Sequence, residues 1–240
     1  MNEILIIPDI HGRGFWKEYA SDFSSFSHVV CLGDYFDPYP SDGISELEAI
    51  DNFRQLVSAL SVLPEDRKTL LIGNHDAHYI NGLFDDQARC TRKSYEYEDE
   101  IASLILAHVG YLLAWQCELK GKTFLISHAG VGAIWLSRHC DLLPTLDANA
   151  LNRLTDSEEG WNALSDVGSI RGGFSVEGSQ LWCDVSELQR DEMASRLDYF
   201  PFQIVGHTRQ SGDAIIGEHF ACIDTRQCYI LYQDGSLAQL

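Results

Sequence analysis

The sequence predicts an α/β fold of two packed mixed β-sheets flanked by helices, in a single domain spanning residues 1–240. Three observations carry this expectation. Five short β-branched apolar runs, most closed by Gly or Pro, read as buried parallel strands. An amphipathic stretch joins two of them, as a parallel crossover requires. The tail alternates short apolar runs with an Asp-Gly turn, a hairpin signal.

In chain order, the first run is ILIIP at 4–8, followed at 14–27 by aromatic and polar residues expected to form a helix and a turn. The second run, VVCLG, covers 29–33. Residues 45–63 carry apolar positions at 47, 50, 53, 56, 57, 60 and 63, which is helical spacing, and Pro64 is the stop. The third run, TLLIG, follows at 69–73. Residues 78–95 have no clean periodicity, and 96–113 return to a helical pattern. TFLIS occupies 123–127 and FQIVG 202–206; between them, 155–182 is irregular and rich in Gly, Ser and aromatics. The two irregular zones read equally well as walls of a site and as ordinary surface connections. The tail 219–240 reads as a closing β-meander of HFACID, CYILYQ and SLAQL, turning at Asp234-Gly235.

Composition narrows the function classes. A chain of 240 residues, 45% apolar, has interior enough for a sizeable core. No stretch approaches the ~20 apolar residues of a membrane span. The seven cysteines are scattered without a Cys-x-x-Cys, and Met1-Asn2-Glu3 leads straight into a strand, so a cytoplasmic protein is expected. A net charge of −19, with no basic cluster longer than Arg92-Lys93, argues against nucleic acid as a partner.

The five runs share one further property: each ends near a metal-ligand side chain. These are Asp9 and His11, Asp34, Asn74, His128 and His207. In open α/β sheets, sites form just past the carboxyl ends of the strands. Asp9 and His11 project to the same side of an extended segment and can reach one ion. Gly33 permits a tight turn that brings Asp34 inward, and a carboxylate can bridge two cations. Mixed nitrogen and oxygen donors without sulfur suit Mn, Fe, Co, Ni or Zn better than Ca.

Asp9-Ile10-His11-Gly12, Gly33-Asp34-Tyr35-Phe36-Asp37, Gly73-Asn74-His75-Asp76, Ser127-His128-Ala129-Gly130 and Gly206-His207-Thr208 together resemble the calcineurin-like metallophosphoesterases. The likeness is greatest to the serine/threonine phosphoprotein phosphatase branch. It extends to Leu181-Trp182, Ile223-Asp224-Thr225 and Gln233-Asp234-Gly235. The resemblance implies an αββα sandwich with two divalent transition-metal ions. It assigns Asp9, His11 and Asp34 to one ion, and Asp34, Asn74, His128 and His207 to the other. It implies direct in-line attack by a water or hydroxide held between the ions. His75 would act as general acid, oriented by Asp37. Arg209 stands where many relatives carry a further histidine, so the first ion is expected to be the weaker bound.

The chain departs from the phosphatase pattern at the residues that grip phosphate. Pro38 and, by approximate alignment, Asp184 stand where arginines are expected. Arg13, Arg171 and Arg209 are the candidate replacements, since a guanidinium suits bidentate phosphate contact. The histidines at 28, 78, 108, 139 and 219 read as surface or hydrogen-bonded side chains outside the ligand set. The expected function is hydrolysis of phosphomonoesters, of a small molecule or a phosphoprotein. A phosphodiesterase or dinucleoside-polyphosphate hydrolase is the enzymatic alternative. A non-catalytic scaffold is the third reading, disfavoured because all six ligands, His75 and Asp37 are present.

Overall fold

The computed structural model describes residues 3–84 and 92–240; most of the irregular zone's middle, 85–91, lies outside the described residues. The chain forms two compact units, Met1–Gly110 with Arg226–Leu240, and Tyr111–Thr225. Each unit contains one five-stranded mixed sheet with helices.

In the first unit, β1 (Ile4–Ile7), β2 (His28–Cys31) and β3 (Lys68–Leu70) run parallel, with Ile4 opposite His28 and Val29 opposite Lys68. Every residue of β1 and β2 is buried, which explains their apolar character apart from His28 at the start of β2. The sheet continues on the other side of β1 through β9 (Tyr229–Leu231) and β10 (Leu237–Gln239), both antiparallel to their neighbours. The Asp234-Gly235 turn joins them as the sequence predicts.

The crossover from β2 to β3 is α1 (Glu46–Leu60). Ser45 caps it: the Glu48 N–H donates to Ser45 Oγ, and the Ser45 N–H donates to Glu48 Oε2. Its buried face includes Ile50, Phe53, Leu56 and Leu60, each contributing about 1.5–3 kcal/mol by burial. The Phe53 ring lies 4.9 Å from Tyr35 and 5.0 Å from Phe36, so this helix supports the loop carrying Asp34 and Asp37. Residues 15–25 form a 3₁₀ helix where a helix and turn were expected. α2 (Asn74–Ile80) starts directly after Gly73, and α3 (Glu98–His108) fills the predicted helical stretch.

In the second unit, β4 (Ala114–Leu119) pairs antiparallel with β5 (Lys122–Ser127), and β6 (Phe202–Val205) runs parallel to β5. β7 (Ile215–Ile216) and β8 (Phe220–Cys222) complete the sheet in the order β4-β5-β6-β8-β7. The tail is therefore not one meander. Its first strand, β8, pairs parallel with β6 in this unit, whereas β9 and β10 belong to the first. The apolar pattern marks β8 and β9 as buried but carries no information on their neighbours. The helices of this unit are α4 (Ala133–Arg138), α5 (Ala148–Arg153), α6 (Glu158–Leu164) and α7 (Val185–Met193). α6 lies within the irregular zone 155–182, started by a Ser157 cap that accepts the Gly160 N–H.

Candidate metal centre

Backbone conformation already marks the site. Seven non-glycine residues have positive φ among the described residues, and four of them are His11, Asp34, Asp37 and His207. Left-handed backbone costs an L-residue about 1–2 kcal/mol, so it persists only where surrounding structure enforces it. Gly33, at φ 103°, shows how. A Cβ there would meet the Gly73 nitrogen at 2.4 Å, so the turns carrying Asp34 and Asn74 touch backbone to backbone.

Asp76 holds those turns together. Its buried carboxylate accepts N–H groups from Asp34 (2.7 Å), Tyr35 (3.1 Å) and Gly73 (2.9 Å). Burial and the neighbouring Asp34 carboxylate push the Asp76 pKa up, against the pull of these donors. Asp34 is held from the other side, since the His75 N–H donates to its Oδ1 at 2.9 Å.

His11 shows the fit to a cation most directly. Its Nδ1 lies 2.8 Å from the Phe36 carbonyl oxygen, which can only accept, so Nδ1 carries the hydrogen. The Nε2 lone pair therefore faces Asp34 Oδ2 at 3.4 Å. Two electron-rich atoms in this position require a proton or a metal ion. Burial works against charge on His11, but Asp34 and then Asp9 outweigh it and raise its pKa. A carbonyl on the far ring nitrogen is the usual support of a metal-bound histidine. Donor atoms of His11, Asp34 and His75 lie within 4.8 Å of one another. Asp9 and Asn74 are both buried in the same unit.

His75 and Asp37 are brought together as the sequence predicts. His75 Nδ1 donates to Asp37 Oδ2 at 2.8 Å, and both are buried. Asp37 also receives the Tyr79 hydroxyl at 2.5 Å and stands 3.1 Å from His78 Nε2. Burial alone would raise the Asp37 pKa; hydrogen bonds from His75 and His78 overcome it and hold the group well below the usual carboxylate range. Burial lowers the His75 pKa to about 4, with Asp34 and Asp37 working to raise it.

In the second unit, His128 Nε2 lies 3.1 Å from His207 Nδ1, so these imidazoles converge. The loop after β5 is fixed by Gln203, whose side chain accepts the Val131 N–H at 2.7 Å and donates to its carbonyl at 3.0 Å. The Gly206 N–H bonds the His128 carbonyl at 2.7 Å, which ties the two histidine-bearing turns.

The candidate phosphate-binding arginines are placed differently. Arg13 forms an ion pair with Asp42 at 2.7 Å. Arg171 pairs with Asp184 at 2.8 Å and donates to Thr208 Oγ1 at 2.7 Å, beside His207. Asp184, where an arginine was expected, caps α7. Arg209 is exposed.

The calcineurin-like phosphoesterase profile matches residues 3–208, most of the chain and all five ligand-bearing motifs, whereas Ile223-Asp224-Thr225 and Gln233-Asp234-Gly235 lie beyond the match. The chain belongs to the calcineurin-like phosphoesterase family. That makes it a member of a metal-dependent class of phosphate-ester hydrolases. Solved structures similar in fold include a cold-active protein tyrosine phosphatase, at 17% identity and a TM-score of 0.52. A serine/threonine phosphatase from Saccharomyces cerevisiae with similarity to human PP5 is similar at 14% identity and a TM-score of 0.52. Both likenesses cover 100% of this chain and 79% of the other. No curated protein matches. Among the described residues, no helix is long and apolar enough to cross a membrane.

Three residues of this phosphoesterase site escaped the sequence reading of their roles. Asp76 was visible only as the last residue of the Gly73-Asn74-His75-Asp76 motif. His78, set outside the ligand set, is buried against Asp37; its spacing of three from His75 on one helix face was the available signal. Arg92 approaches His11 from 81 residues away, and no local pattern announces it.

Proposed function

We propose that this phosphoesterase hydrolyses phosphomonoesters, of a small molecule or a phosphoprotein, with two divalent transition-metal ions and with His75 as general acid. The observation that carries this reading is the buried His75–Asp37 pair beside His11 and Asp34. Following the family pattern, Asp9, His11 and Asp34 hold one ion; Asp34, Asn74, His128 and His207 hold the other. The mixed donors suit manganese, iron or zinc. When bound, the ions supply Lewis acidity towards the phosphoryl oxygens and activate water.

The chain's own residues do the rest. Asp37 accepts a hydrogen bond from His75 Nδ1–H and so fixes the ring with Nε2 available to the leaving group. A proton on Nε2 passes to the leaving alkoxide as the ester bond breaks. The phosphoryl charge of a bound substrate raises the His75 pKa from the low value that burial imposes. Tyr79 and His78 hold Asp37 in place. Both units of the chain form one functional domain in this reading, and the protein works in the cytoplasm.

Hydrolysis of diesters or dinucleoside polyphosphates is the second reading. It is favoured by Pro38 and by the carboxylate partners of Arg13 and Arg171, which reduce the positive charge offered to a dianion. The third reading, a protein-binding scaffold, is disfavoured by the intact His75–Asp37 pair.

The test replaces His75 with Asn. Turnover of alkyl phosphates should fall roughly 10²–10⁴-fold, the scale of a lost general acid. The loss should shrink on nitrophenyl phosphate, whose leaving group needs little protonation. Equal losses on both substrates would refute the acid role.

A further inference from the structure

We propose that Arg92 is the residue that grips the phosphoryl oxygens of the substrate, on a platform made by Tyr39 and the backbone carbonyls of Asp37 and Pro38. This assignment rests on the phosphoesterase reading above and concerns a residue outside the motifs that define the family.

The geometry separates Arg92 from the other candidates. Its guanidinium carbon stacks 3.6 Å from the centroid of the Tyr39 ring. Its Nε–H is shared between the carbonyls of Asp37 (3.1 Å) and Pro38 (3.3 Å). A stacked and anchored guanidinium has lost most of its rotamer freedom before any ligand arrives, so little of that cost falls on binding. The anchor is also informative in position. Pro38 is where an arginine was expected from the phosphatase pattern, and Arg92 reaches the same backbone from elsewhere in the chain.

Among the described residues, one end of the fork lacks an acceptor. Nη2 lies 3.4 Å from His11 Nδ1, but that nitrogen spends its hydrogen on Phe36 and has no lone pair to offer. Among the described residues, Arg92 has no carboxylate partner. Arg13 and Arg171, by contrast, each face an aspartate at 2.7–2.8 Å. An arginine carries five N–H donors, and only Nε is used well here. The guanidinium thus presents positive charge and open donors next to the imidazole of a proposed metal ligand.

Tyr39 is the positioning residue. Its ring lies edge-on to His11 at 5.0 Å, and the Arg13 guanidinium sits 5.0 Å from it. Arg13 is itself fixed by Asp42, which also pairs with Arg226 at 3.2 Å. The tyrosine is therefore braced by one arginine while it carries the other.

The experiment titrates inorganic phosphate into Mn²⁺-loaded protein by calorimetry, for wild type, Arg92→Ala and Arg92→Lys, with metal content measured on each. Wild type should bind phosphate. Arg92→Ala should keep its metal and lose phosphate affinity about 10- to 100-fold, the scale of charge-assisted hydrogen bonds. Arg92→Lys keeps the charge without the planar fork and should fall between the two. Affinity within twofold of wild type in either variant, or no phosphate binding by wild type, overturns the assignment. Should Arg92→Ala fail to fold, the lysine variant alone decides. Nitrophenyl phosphate hydrolysis run in parallel separates the two claims. Turnover by wild type with phosphate binding indifferent to Arg92 refutes Arg92 alone. Arg92-dependent phosphate binding without turnover of any ester refutes the phosphoesterase reading and leaves the anion site.

Discussion

Replacing Asp37 with Asn tests whether this carboxylate works through His75 or merely fills space. The side chain is fully buried and meets His75 Nδ1, His78 Nε2 and the Tyr79 hydroxyl. Asparagine has the same shape, one acceptor oxygen in place of two, and an amide that points donors at donors. A hydrogen bond to a charged group contributes about 1.5–3 kcal/mol, so loss of the His75 contact corresponds to a roughly 10- to 150-fold fall in turnover of alkyl phosphates. The carboxylate also works to raise the His75 pKa, so its removal lowers that pKa further and shifts the alkaline limb of the turnover profile to lower pH. The stability effect has its own sign. Asp37 titrates in the fold below its unfolded value, so its contribution is present above about pH 4 and lost as pH falls through the folded pKa. The wild-type advantage over Asp37→Asn should therefore be constant from pH 5 to 8 and shrink in acid, a behaviour that denaturant midpoints would report. The decisive assay is a double-mutant cycle in turnover number. On the His75→Asn background, Asp37→Asn should cost less than about threefold. Fully additive losses would refute the idea that Asp37 acts through His75.

Two further outcomes test the scaffold around the site. Gly33→Ala combines a backbone at φ 103° with a Cβ 2.4 Å from the Gly73 nitrogen, and every close atom is backbone. It should destabilise by more than about 3 kcal/mol, and a loss under 1 kcal/mol in urea unfolding would contradict the close approach of the two turns. His28 bonds Thr69 Oγ1 at 2.8 Å, and burial lowers its pKa to about 4. The folded state then binds fewer protons than the unfolded state between about pH 4 and 6.5, so stability rises with pH across that window. With solvent screening part of the effect, about 1–2 kcal/mol should be lost on acidification, and His28→Gln should flatten the slope. An unchanged slope would refute the assignment to His28.

Much of this architecture was legible because it is local. The five apolar runs are strands, and Ser45, Glu48 and the spacing from Ile50 to Leu60 mark α1 at both cap and face. The ligand motifs sit in turns that follow β1, β2, β5 and β6 and at the start of α2, where a short tripeptide suffices to reveal them. What escaped depends on distant partners. β8 and β9 look alike in sequence, yet register with different sheets. β4 is buried only at its two ends, Ala114 and Leu119, and offered no continuous apolar run to notice. Arg92 is defined by carbonyls 54 and 55 residues away, and its neighbours in sequence say nothing about them. The charges of Arg13 and Arg171 are likewise compensated by aspartates that are not adjacent in sequence.

Metal-dependent hydrolysis of a phosphomonoester is the activity proposed for this chain. The most direct test strips the protein of metal, measures content before and after Mn²⁺ addition, and follows nitrophenyl phosphate and bis-nitrophenyl phosphate in parallel. The protein should bind two ions per chain, release nothing when stripped, and recover release chiefly from the monoester. Preferential release from the diester would contradict the monoesterase assignment. Release that persists without metal, or metal binding with no release from either ester, would contradict the account at its root.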